Sequence, residues 1–485
     1  MIASAGFINP TFTGFAYPVP VIPVKKLAMH PSPHLDEVAG AIVAALFGED
    51  VFPGIRKALR DRNIVFGDMT GTEEQFDADG ILPFGTGDKC RFNEHLKEGG
   101  DRMPGWCSTR LVANYLKKED VAALRRLLAE VLRCDTESGC RSTMLAELIK
   151  VDNRRNVDAA KRIFSFIEPL IIAIITRESQ IMASVKLERP PGEKNLVDYF
   201  RKWLGDWEEA NGPMEPRIRS SLFQRMHGSM QRKATFVPDK EGADRTYVTE
   251  LAFGVEAMAR TSAKDVATTE QDIADLLEYA FVAMHIDQAD FWSEVDRQSK
   301  EAPIFVRALL DGEERIILLS ATTTDSRNAH KAARHCRNLL QKHIPDDKKM
   351  PGVTVVRAKK TGNVQIFSDE ELKLCVTGSK ATYRYAGILE YPVRMIRIFE
   401  LKKLGRKLLP SFEQCGQEGD GDDGLWYYFK KGEMFLNGSN TIDRHPTYIP
   451  WEELVGRDPT TGALGLLQSA FHPVPARNWC DRNLR

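Results

Sequence analysis

Residues 24–47 read VKKLAMHPSPHLDEVAGAIVAALF, and the order of their patterns decides the fold. Val24–Met29 is a short strand candidate, and Leu35–Phe47 places Val38, Ile42, Val43 and Leu46 on one helical face. Strand, tight loop and helix therefore follow one another. Outward from this unit, Asn63–Gly67 (NIVFG) predicts a second strand running into Asp68. Lys89–His95 (KCRFNEH) predicts a third, after a loop containing Gly80, Gly85 and Gly87. Ser108–Leu116 and Lys118–Cys134 read as helices, with Leu124, Leu128, Val131 and Leu132 aligned in the second and Asp135 at its end. Strands interleaved with helices predict an α/β fold, a mostly parallel sheet with helices on both faces. Ligands of such sheets gather at the carboxyl ends of the strands, where the polar residues of this sequence fall.

The chain has 485 residues, enough for roughly three domains at the usual domain size. Hydrophobic residues make up 42% and charged residues 28%, which excludes a disordered or collagenous class. With 67 Lys and Arg against 68 Asp and Glu, no overall field attracts a nucleic acid or an acidic membrane, so a polyanion needs a local patch or metal ions. The eight cysteines include no Cys-x-x-Cys pair, and neither a zinc knuckle nor a disulfide framework is expected. The N-terminus has no basic region followed by an apolar one, so the chain is expected to be cytoplasmic. The most apolar run, Ile163–Ile175 (IFSFIEPLIIAII), is too short for a bilayer span and contains Glu168 and Pro169; it predicts a buried helix.

Residues 1–23, rich in Pro, Gly and aromatic side chains, read as an extended leader or an arm packed on the first domain, and residues 24–156 as the α/β domain. Residues 157–300 are helical in period, ending in a long helix from about Thr269 to Asp296. Short β-rich runs (PIFVRALL, RIILLSA, VTVVRA, NVQIF, WYYF) predict a smaller C-terminal α+β domain over 301–455, and a tail occupies 456–485. His330, His335 and His343 share one basic helix, on which the spacing does not put all three on one face, and are expected at the surface. Tyr383–Lys407, with seven basic residues, reads as a solvated helix face, the alternative being a nucleic-acid track.

The densest chemistry lies in HPSPHLDE, where His30, His34 and Asp36 cluster between strand and helix. Asp68, His95 and Asp135 stand at the ends of later elements. Imidazole nitrogens mixed with carboxylate oxygens suit manganese, magnesium or iron better than a thiolate zinc site, and six candidate ligands exceed what one catalytic ion needs. Two divalent ions outweigh the carboxylates of Asp36, Asp68 and Asp135 by about one positive charge, so the site favours an anion such as a phosphoryl group. His285 and Asp287 (MHID) are more simply a buried polar pair than further ligands.

The order His-x-x-x-His-x-Asp, Asp at a strand end, a hydrophobic-Asn-Glu-His box and a later Asp resembles the DHH phosphoesterase superfamily. Within it, the likeness is to the exonuclease-like family named after melanocyte proliferating gene, whose first motif also has two histidines ahead of Asp-Glu. The resemblance covers about residues 24–140 and implies metal-ligand roles for His30, His34, Asp36, Asp68 and Asp135, with Asp68 bridging two ions. The third motif departs from it: RFNEHL (Arg91–Leu96) has Asn93, Glu94 and His95 where the family has Asp-His-His. Aligned without a gap, Glu94 takes the metal-binding place and His95 the substrate-facing one, and both are retained as candidate ligands, with Asp68 and His95 as catalytic candidates. The resemblance also implies a substrate contact at Asn437, Gly438 and Ser439, which as a sequence are equally an Asn-Gly hairpin turn.

The expected function is thus a metal-dependent phosphoesterase that cleaves phosphodiester bonds of RNA, DNA or a nucleotide, with two ions, manganese ahead of magnesium, activating water. A small phosphoanhydride such as pyrophosphate is the alternative substrate. The altered third motif also permits an inactive interaction protein.

Overall fold

The computed structural model describes residues 20–67, 69–87, 90–94, 103, 105–136, 143–153, 159–183, 192, 194–232, 247–262, 269–301, 304–310, 313–345, 349–368, 372–375, 381–385, 388–393, 419–420, 427–429, 434–436, 451–455 and 472–473. It is a mixed, helix-rich α/β structure. Two compact units divide at Gln288/Ala289.

The first unit is built on β1 (Lys26–Met29), α1 (Leu35–Phe47), α2 (Ile55–Arg60), β2 (Ile64–Phe66), α3 (Glu73–Asp79) and β3 (Ile81–Phe84). The strands are all parallel in the order β2-β1-β3. Leu27, Ala28 and Met29 of the central strand are fully buried, which is why β1 is a continuous apolar run. The first crossover places β2 on one side of β1 and the second, from β2, passes β1 to place β3 on its other side, so a crevice opens at the carboxyl ends of β1 and β3.

The third strand is not Lys89–His95. It is Ile81–Phe84, and Cys90–Glu94 is a turn. Pro83 argues against a strand unless the strand lies at an edge, and β3 does. The helix that precedes it, α3, carries its own start signal: the Thr72 hydroxyl accepts from the Gln75 N–H while the Gln75 side chain accepts from the Thr72 N–H.

Helices α4 (Ser108–Tyr115), α5 (Ala122–Thr136), α6 (Leu145–Asn153), α7 (Ala159–Met182), α8 (Leu196–Asn211), α9 (Pro216–Arg232), α10 (Leu251–Ser262) and α11 (Glu270–Gln298) follow. The periodic stripe expected on α1 understates its burial, since every residue from Leu35 to Ala45 is buried. Neighbours on several sides, among them α2, α4, α5 and α7, enclose it, and a helix enclosed in this way has no polar face to show. Small residues make this possible: a Cβ at Gly40 would lie 3.4 Å from Phe84 Cδ1 and 3.5 Å from the Thr109 backbone.

The apolar Ile163–Ile175 run lies inside α7, with Ile163, Phe164, Ile167, Leu170, Ile171, Ile174 and Ile175 buried. Among the described residues no helix is long and apolar enough to cross a membrane. Buried carboxylates tie the helices together. Glu178 of α7 pairs with Arg126 of α5 at 3.0 Å, and Glu130 of α5 accepts from the N–H groups of Val248 and Thr249 at 2.6 and 2.8 Å. Cys134 is disulfide-bonded, whereas Cys90, Cys107 and Cys336 form no disulfide, a pairing that spacing could not reveal because it depends on distance in the fold.

The second unit contains β4 (Ile304–Leu310), β5 (Glu313–Thr323), α12 (Ala329–Leu340), β6 (Gly352–Arg357), β7 (Val364–Ser368), β8 (Leu372–Cys375), β9 (Ala381–Tyr385), β10 (Ile388–Val393), β11 (Gly419–Asp420), β12 (Tyr427–Phe429), β13 (Met434–Leu436), a short helix α13 (Trp451–Leu454) and β14 (His472–Pro473). Eight strands form one sheet in the order β11-β12-β13-β7-β6-β5-β4-β14, antiparallel except for β5 and β6, which α12 connects. Strands β8, β9 and β10 form a separate antiparallel sheet. The basic stretch from Tyr383 is therefore a β-hairpin as far as Val393, not a helix face. His330, expected at the surface, is half-buried: it stacks on Phe367 at 4.7 Å, and burial pushes its pKa down to about 3.

Candidate metal centre

The carboxyl ends of the parallel strands are tied to one another by backbone and hydroxyl groups. The Gly67 N–H donates to the Met29 carbonyl at 2.9 Å, and the Thr86 hydroxyl donates to the Gly67 carbonyl and accepts from the Met69 N–H. From Met29 the chain turns through His30–His34 into α1. Asp36, in the first turn of α1, is buried, and its two oxygens accept from the N–H groups of Ser108 and Thr109 at 2.7 and 2.8 Å. Those donors open α4, so the carboxylate sits on the positive end of that helix. The Thr109 hydroxyl donates to the Asp36 carbonyl at 2.6 Å, and the Cys107 thiol hydrogen-bonds the Asp36 carboxylate.

Glu94 reaches the same place from the turn after β3. The turn is anchored by Phe92, which is fully buried against Phe84, Phe52 and Tyr115 at ring separations of 5.6, 5.9 and 5.6 Å. The Gly85 N–H donates to the Phe92 carbonyl, the Asn93 side chain to the Gly87 carbonyl, and the Met103 N–H to the Glu94 carbonyl. Asp135, half-buried, comes from the last turn of α5. One oxygen from each of Asp36, Glu94 and Asp135 lies within 4.8 Å of the other two.

A fourth carboxylate stands beside these three. Glu37 is buried and accepts from the His34 N–H. Burial pushes its pKa well up, and the charges of Asp36, Asp135 and Glu94 push it further. Burial first and Asp135 second raise Asp36 to about 6, against the opposing pull of its Thr109 hydrogen bonds. Among the described residues neither Asp36 nor Glu37 has an Arg or Lys ion pair. Like charges gathered in a buried crevice are costly, and a cation among them removes that cost. Carboxylate oxygens are hard donors that fit magnesium, manganese or calcium, so the residues present suit a divalent ion of that kind.

Of the seven sequence-predicted ligands, the structure brings together Asp36, Glu94 and Asp135. His30 and His34 share the adjoining loop with ring centroids 6.3 Å apart; His30 Nδ1 accepts from the Ser32 N–H, and neither imidazole belongs to the carboxylate cluster. Asp68, His95, Asn437, Gly438 and Ser439 lie outside the described residues. His285 packs on Trp207 at 4.8 Å, and Asp287 pairs with Arg225 at 3.9 Å; neither is among the clustered carboxylates. Sequence reasoning missed Glu37 and Cys107. For Glu37 a signal existed, an acidic residue three positions after a helix-start residue; for Cys107 there was none. No protein-family model and no curated protein matches the chain.

Proposed function

We propose that this chain is a metal-dependent phosphoesterase with a DHH-like first domain, hydrolysing phosphodiester bonds of a nucleic acid or nucleotide. The observation that carries the reading is the convergence of Asp36, Glu94 and Asp135 within 4.8 Å at the open end of a parallel sheet. Those three side chains would hold a divalent ion, manganese or magnesium. Such an ion polarises a phosphoryl oxygen and makes water a better nucleophile at neutral pH. The chain supplies the rest. The α4 N–H groups fix both Asp36 oxygens, Phe92 fixes the turn that carries Glu94, and α5 fixes Asp135. The His30 and His34 rings stand 6.3 Å apart on the adjoining loop and would be the groups there to meet an anionic substrate.

The test is manganese binding by calorimetry, followed by hydrolysis of bis-p-nitrophenyl phosphate, short RNA, short DNA and pyrophosphate, each with wild type and Glu94→Gln. Metal-dependent cleavage of a diester, lost in the variant, supports the reading. Cleavage of pyrophosphate alone moves the substrate to the phosphoanhydride class. Absence of manganese binding, or full activity in a chelator, refutes it.

A further inference from the structure

The loop carrying His30 and His34 ends at a buried carboxylate that the three-membered cluster does not include. Glu37 occupies the third position of α1, is 6% exposed, and accepts from the backbone N–H of His34, the residue that starts the helix. The end of β3 is shaped to receive it. Gly85 adopts φ +60°, and a Cβ there would lie 2.7 Å from Glu37 Cγ and 2.9 Å from Oε1. Real Cβ atoms do not approach that closely, so the carboxylate occupies its place only because residue 85 has no side chain. Loop, helix and strand end therefore meet on one side chain, within electrostatic reach of Asp36, Asp135 and Glu94.

We propose that Glu37 is a positioning residue for the metal centre: it holds the His30–His34 loop beside the carboxylate cluster before any cation arrives. The proposal rests on the metal reading above. A loop fixed beforehand spares the ordering cost that binding would otherwise carry, and groups that orient a metal site from one shell out commonly contribute 10–100-fold in affinity. The role requires an acceptor for the His34 N–H, not a charge. Glutamine can take it, as glutamine does at the same position of other helix starts.

The experiment measures manganese affinity by calorimetry for wild type, Glu37→Gln, Glu37→Ala, Gly85→Ala and the double variant, with amide exchange at His34 as a readout independent of metal. Glu37→Gln should bind within about threefold of wild type, and Glu37→Ala about 10–100-fold more weakly with fast exchange at His34. Gly85→Ala should weaken binding similarly by displacing the carboxylate, yet add no more than about twofold in the Glu37→Ala background, because the two act through one contact. Should Glu37→Ala fail to fold, Glu37→Gln against Gly85→Ala decides. Equal weakening in Glu37→Gln and Glu37→Ala would overturn the proposal in favour of a direct, charged role. Unchanged affinity in Glu37→Ala, with wild type binding, would overturn it alone. No binding by wild type overturns the metal reading and the positioning role with it, leaving His34 exchange to report a helix cap only.

Discussion

Asp135→Asn should make the metal-free protein more stable and the metal-loaded protein less so. Two unit charges 4.8 Å apart repel by about 3.5 kcal/mol at an effective dielectric constant of about 20. Asp135 is half-buried, so solvent screening reduces its share to about 1–2 kcal/mol. Its place in the last turn of α5 adds about 0.3–1 kcal/mol, because a carboxylate there faces the negative end of the helix. Asparagine removes both penalties at nearly the same size. In excess chelator the variant should therefore unfold at higher temperature, by about 2–4 °C for each kcal/mol in a unit of this size. Manganese at 100 times its dissociation constant should stabilise wild type by about 2.7 kcal/mol and the variant by much less, inverting the order. Calorimetric melts of both proteins, in chelator and across a manganese titration, read this directly. A variant that melts below wild type in chelator, or gains as much from manganese, would refute the account of the cluster as like charges awaiting a cation.

Other expectations follow from single contacts. Phe92→Ala should cost about 3–5 kcal/mol and free the turn that carries Glu94, so that urea unfolding and manganese affinity fall together; a stability loss with unchanged affinity would show that Glu94 is held otherwise. Gly40→Ala, whose Cβ meets its neighbours at 3.4 Å or more, should leave stability unchanged or raise it by up to about 1 kcal/mol, whereas Gly40→Leu should lose about 1–3 kcal/mol by overpacking α1 against α4. Both are read by urea unfolding, and equal effects would contradict the narrow space at Gly40. Burial raises Glu130 to about 7 from an ordinary value of 4.5, so the folded chain binds more protons there than the unfolded one. Its contribution is intact below pH 4.5 and is lost as pH rises through 7, amounting to about 3 kcal/mol. The stability difference between wild type and Glu130→Gln, followed from pH 5 to 8, should shift against wild type, and a flat difference would disprove the assignment.

The elements that a local pattern specifies were legible in the chain alone. Strand β1, the start of α1, the long α11 and the strands β4 to β7 follow from runs and periods within a few residues, and local sterics and hydrogen bonding settle such features. Asp36 and Asp135 were recognisable as candidates because each stands at an element's end. Glu94 was legible only through an aligned motif, since its strand does not exist; an edge position for Pro83 is a fact about neighbours, and it moved the third strand to Ile81–Phe84. What only the tertiary structure decided is which faces are covered and which carboxylates meet. Asp36 is held by backbone groups 72 and 73 residues away, and the cluster joins three separate elements whose meeting depends on how α1, α4 and α5 pack. Glu37 shows both sides of this. Its helix-start position is written locally, but its burial beside three other acids and against Gly85 arises only when β3 lies alongside β1, because long-range packing, not any sequence period, brings those backbones together.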